Sequence, residues 1–156
     1  MSESKFKIIV DADACPVKAE IVAAAKPFAA KTVFVASFDH RLPELDGAEL
    51  VQVDRSDQSA DLYIANRVAP GDILITQDFG LATIGLAKRA VVLSFRGQSY
   101  TDRTIDFLLE RRHEQAKQRR GGRHSKGPKA FTEQDRSKFL QTLTKVLQNR
   151  QENSTD

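Results

Sequence analysis

The stretch "KIIVDADACPVKAEIVAAA", Lys7 to Ala25, decides how the chain is read. An unbroken apolar run, Ile8 to Val10, stops at Asp11, and a second aspartate, Asp13, follows at once. Pro16 suits the first position of a helix over "VKAEIVAAAK", which Pro27 ends or bends. A strand without polar alternation is one buried on both faces, as in parallel sheets. The unit is strand, junction, helix, with two like charges at the junction.

The same unit repeats outward along the chain. "TVFVAS" (Thr32 to Ser37), "ELVQV" (Glu49 to Val53), "DILIT" (Asp72 to Thr76) and "AVVLSF" (Ala90 to Phe95) read as strands. "DQSADLYIANRV" (Asp57 to Val68) and "GLATIGLAKR" (Gly80 to Arg89) read as helices between them, with Pro70–Gly71 as a turn. Such alternation implies right-handed crossovers and a parallel sheet covered on both faces. After residue 97 the character changes. "TDRTIDFLLERRHEQAKQ" is predicted to be a helix capped by Thr101, with Ile105, Leu108 and Leu109 on one face. A glycine-broken basic loop, "RRGGRHSKGPK", leads to a last helix opened by Thr132, and "NRQENSTD" is expected to fray. The predicted organisation is an α/β core over residues 1–97 and a helical extension with a basic loop over 98–156, forming one unit.

Composition narrows the class. A chain of 156 residues suits one domain, and 40% hydrophobic with 29% charged residues is ordinary for a folded protein. The single cysteine, Cys15, excludes an internal disulfide. No segment suits a signal peptide or a bilayer span, so a cytoplasmic protein with no membrane partner is expected. Cys15 before Pro16 could be an activated thiol, but without an arginine nearby it reads better as a small core residue.

The chemistry is carried by acids. In open α/β sheets ligands bind at the carboxyl ends of strands. Asp11 and Asp13 end the first strand, and Asp78 follows the fourth in "ILITQD". Asp57 and Asp61, four apart, share a helix face, where like charges cost roughly 0.2–0.5 kcal/mol unless a cation intervenes. Asp57 also suits a helix cap, Asp61 a solvated position and Asp13 a turn. Hard divalent ions bind such oxygens, so Mg²⁺ or Mn²⁺ is the expected cofactor.

The motifs "VDADACPVK", "DQSAD", "GDILITQDFGLA", "FRG" and "KGPKAFTEQD" together resemble the YaiI/YqxD family of bacterial proteins, nearly end to end. That family looks like a branch of the PIN-like nucleases. The resemblance implies a PIN-like, Rossmann-like three-layer α/β fold with a mainly parallel sheet in the order 3-2-1-4-5. It also implies catalytic acids at Asp11, Asp61 and Asp78, a nucleic-acid substrate with RNA favoured over DNA, and it admits a homodimer. The further acid usual in PIN nucleases, often a Glu, is absent at its spacing; Asp57 is nearest, with Glu20 and Glu49 behind it.

The expected activity is metal-dependent phosphodiester hydrolysis, with Asp11, Asp13, Asp57, Asp61 and Asp78 around metal and Thr76 orienting a carboxylate or a water. Arg96, Arg112, Arg119, Arg120, Arg123, Lys126 and Lys129 would hold phosphates. Two rivals stand beside this reading. A binding module would use the basic segment and not need the acids. A haloacid-dehalogenase-like phosphatase would use Asp11 as nucleophile and Asp13 as acid/base, but it needs a lysine that the chain lacks between Phe38 and Gln77.

Overall fold

Strand β1 (Lys7–Asp11) lies between β2 (Lys31–Ser37) and β4 (Ile73–Ile75), parallel to both, so the opening stretch forms the middle of the sheet. The structure is a computed structural model that describes residues 6–37, 47–54, 59–122 and 130–154. Strands β3 (Ala48–Val53) and β5 (Val91–Leu93) complete a five-stranded parallel sheet in the order β3-β2-β1-β4-β5.

Alternation along the central strands divides the core in two. Ile8 and Val10 of β1, Phe34 of β2 and Ile73 and Ile75 of β4 face α1 (Lys18–Ala25) and α5 (Glu133–Ser154). Ile9, Val33, Val35 and Leu74 face α2 (Ser59–Arg67), α3 (Phe79–Ala87) and α4 (Asp102–Arg120). The result is three layers, helices on both sides of the sheet. Asp11 has the parity of Ile9, which turns it toward the α2–α3 layer.

Helix α5 is part of the core, since Phe139, Leu143 and Leu147 are wholly buried with the α1-side residues. Its seat is the turn at Gly97. That residue has φ +83°, and a Cβ there would fall 2.8 Å from the backbone of Lys138 and Phe139, so only glycine fits. Thr142 Oγ1 donates to the Gly97 carbonyl at 3.0 Å. Arg96 beside it pairs with Asp135 at 2.6 Å and lies over the Phe131 ring.

Several boundaries differ from the sequence expectation. Pro16 precedes the first helical residue by two, because Ala14 turns left-handed at φ 61° and the Cys15 N–H closes that turn on the Ala12 carbonyl. Pro27 does mark the end of α1, as expected: the α-helix stops at Ala25 and the chain passes into a 3-10 turn at Lys26–Phe28. Thr101 caps α4 in a capping box with Thr104, but Leu109 lies 43% exposed rather than beside buried Ile105. Helix α5 continues to Ser154 where fraying was expected, as no glycine or proline interrupts it. Among the described residues, no helix is long and apolar enough to cross a membrane.

Candidate acidic site at the carboxyl edge of the sheet

The site is built on adjacent strand ends. Thr76, wholly buried after β4, donates its hydroxyl to Asp11 Oδ2 at 2.9 Å. Thr76 Oγ1 itself accepts the Asp78 backbone N–H at 3.0 Å. One hydroxyl thus fixes the carboxylate that ends β1 relative to the backbone that leaves β4. Asp78 caps α3, its Oδ1 accepting the Leu81 N–H at 3.1 Å, a role the sequence reading did not give it.

Asp61, in the first turn of α2, is half-buried and meets the Asp78 carboxyl directly. Asp13 accepts the Ser37 N–H at 3.1 Å, which ties the turn after β1 to the end of β2. Four carboxyl groups from three segments therefore converge. Burial raises the Asp11 pKa to about 6, opposed by the Thr76 hydrogen bond and reinforced by the charges of Asp61, Asp13 and Asp78. Burial, then the charge and hydrogen bond of Asp78, push Asp61 up as well. Cys15 sits in the core beneath, its thiol driven up to about 11 chiefly by burial, which makes it a poor nucleophile at neutral pH.

The other sequence-predicted residues scatter. Glu20 is tied to Arg136 at 2.8 Å and Glu49 to Lys31 at 3.5 Å, so neither supplies a further acid. Arg96 is engaged by Asp135 and Phe131, which gives it a part in seating α5. Arg112, Arg119 and Arg120 are exposed on the outer half of α4. Asp57, Arg123, Lys126 and Lys129 lie outside the described residues. Missed by the sequence reading was the stack of Arg67 on Tyr63, its guanidinium carbon 3.6 Å from the ring centroid. Their spacing of four on a helix was the available signal.

As placed, no three acidic, histidine or cysteine side chains among the described residues are gathered tightly enough to grip one ion. Mg²⁺ asks for less, commonly one or two carboxylates with waters and substrate phosphates. A half-buried carboxylate pressed by three others is the donor chemistry such an ion relieves, so the residues suit a shared, partly hydrated ion rather than an all-protein cage.

Comparison with known proteins gives a consistent picture. The family described as "Uncharacterized BCR, YaiI/YqxD family" matches residues 9–149. A UPF0178 protein of Bacillus velezensis is 49% identical over 150 residues, covering 96% of this chain and 89% of that protein. One of Listeria monocytogenes serovar 1/2a is 48% identical over 144 residues, covering 92% and 97%. One of Halalkalibacterium halodurans is 43% identical over 145 residues, covering 93% and 92%. No solved structure matches the chain.

Proposed function

This chain belongs to the YaiI/YqxD family, and from that premise we propose that it is a divalent-metal-dependent nuclease, with single-stranded RNA the favoured substrate. The observation that carries the reading is Asp11. Every charge that raises its pKa is another carboxylate, at the strand edge where α/β sheets bind ligands. Folding does not gather like charges at one point without cost, and perturbed acids of this kind mark functional sites.

One or two of Asp11, Asp61 and Asp78 would hold a partly hydrated ion directly and the rest, with Asp13 beside them, through its waters. When bound, it supplies positive charge for the phosphodiester and acidifies water. The chain's own residues do the rest. Thr76 keeps the Asp11 carboxylate oriented through its 2.9 Å bond. Asp11, kept ionised by the cation beside it, can accept the proton of an attacking water. Asp78 is held rigid by capping α3. Exposed Arg112, Arg119 and Arg120 on α4 attract the phosphate backbone, an attraction that weakens steeply with salt.

The test is cleavage of end-labelled single-stranded RNA and DNA with Mn²⁺, Mg²⁺ or EDTA, by wild type and Asp11→Asn. Metal-dependent product that falls at least about 100-fold in the variant is expected, the scale of losing a general base. Equal cleavage by both proteins, or none by either, overturns the reading.

A further inference from the structure

Beyond the acids, α2 carries a second feature on its other flank. At about 100° per residue, Tyr63 and Arg67 lie on one side of the buried Ala60–Ile64 stripe and Asp61 on the other. On the Tyr63 side, against the end of β3, is a shallow, wide-mouthed cavity of about 490 Å³. Its walls include Gln52, Val53, Asp54, Leu62, Tyr63, Asn66 and Arg67. The Arg67 guanidinium is held flat by two contacts, the Tyr63 ring at 3.6 Å and the Tyr63 carbonyl, to which it donates at 3.4 Å. Arg67 is nonetheless exposed, and so is Leu62, at 58%.

We propose that this cavity receives a nucleobase of a single-stranded nucleic acid, stacked on the Arg67–Tyr63 platform. The chemistry selects that occupant. Bases stack on aromatic rings and on guanidinium planes, and their edges are read by amides. Gln52 and Asn66 present amides, and Leu62 presents an apolar wall. The Asp54 carboxylate makes the cavity a poor seat for phosphate, but it can accept from an exocyclic amino group. The inference rests on the nuclease reading for its substrate class and deepens it. The acids lie across one helix width, about 10–12 Å, so the held base belongs to a nucleotide near the cleaved bond and not to the cleaved bond itself. The preorganised platform costs little ordering on binding.

The test separates the pocket from catalysis by using Asp11→Asn protein in EDTA, where nothing turns over. Fluorescence anisotropy compares a labelled single-stranded RNA with an abasic strand of equal length and charge. The intact strand should bind about tenfold tighter or more, since base stacking is the difference. Adding Arg67→Ala or Arg67→Met should shrink that gap to about twofold. Asn66→Ala, which leaves the platform in place at an exposed position, should change the ranking among the four homopolymers. Equal affinity for intact and abasic strands, a gap that survives both Arg67 variants, or no binding of either strand overturns the proposal. Failure of the nuclease reading would appear separately, in the cleavage assay.

Discussion

The two edges of the parallel sheet each hold a shielded aspartate, and they treat it in opposite ways. At the amino edge, Asp72 is 3% exposed just before β4. It accepts from the Lys7 ammonium at 2.7 Å, the Lys7 N–H at 3.0 Å and the Ala69 N–H at 2.8 Å. At the carboxyl edge, Asp11 receives one hydroxyl and faces three like charges. Both are joined to the same strand, since Lys7 and Asp11 are the ends of β1. A shielded acid with its charge answered is holding the fold together. One whose charge is aggravated costs the fold stability, the mark that the nuclease proposal reads as functional.

The contrast is open to direct attack. Asp72→Ala should destabilise the protein by about 3–5 kcal/mol, since it strands a partner of a buried pair. The 28% exposure of the Lys7 side chain pulls the value toward the lower end. A urea titration reads it, and a loss under about 1 kcal/mol would remove the distinction.

Asp11→Asn should have the opposite sign. In the folded protein the Asp11 carboxyl titrates near 6, against 3.8 for its ordinary value. The folded state therefore holds a proton that the unfolded chain has lost, and stability falls as pH rises through that window. The stability from protonated Asp11 is complete below about pH 3.8 and gone above about pH 6. Removing the charge should raise stability by about 1–3 kcal/mol at pH 7.5 in EDTA. The gain should vanish near pH 4, where both proteins are neutral at this site. Denaturant midpoints for both proteins across that range decide it; an unchanged or lower midpoint at pH 7.5 would mean that the like charges are not felt.

The smallest effect belongs to the exposed pair. Lys31 and Glu49 stand 3.5 Å apart at the amino edge with side chains 65% and 52% exposed. Lys31→Ala should alter stability by no more than about 0.5 kcal/mol by thermal melting. A larger change would show that position along the sheet, rather than burial, governs the energetics.

Much of this arrangement was legible before the structure. Apolar runs without alternation marked the strands, and the acids that end them marked the edge where Asp11 and Asp78 meet. The order of strands followed from resemblance to a family, since periodicity does not say which strand lies beside which. What escaped reading were partnerships between distant residues. Arg96 looked like a phosphate ligand because its partner, Asp135, lies 39 residues away. Asp72 looked like the start of a strand because Lys7 is 65 residues distant. Asp78 was taken for a ligand alone, though its extended backbone before Phe79 let it cap a helix too. Local patterns state where a side chain stands along an element; its partner across the fold is set by packing.

The glycine seat of the last helix also has a kinetic side. Arg136 of α5 reaches Glu20 and the Pro16 carbonyl, which are 116 and 120 residues earlier. Contacts of such separation close slowly, because chain entropy is lost before they reward it. Helix α5 places Phe139, Leu143 and Leu147 over the sheet face bearing Ile8, Val10, Phe34 and Ile75. A residue other than glycine at position 97 would unseat this helix and leave an apolar sheet face open, the kind of surface through which partly folded chains associate.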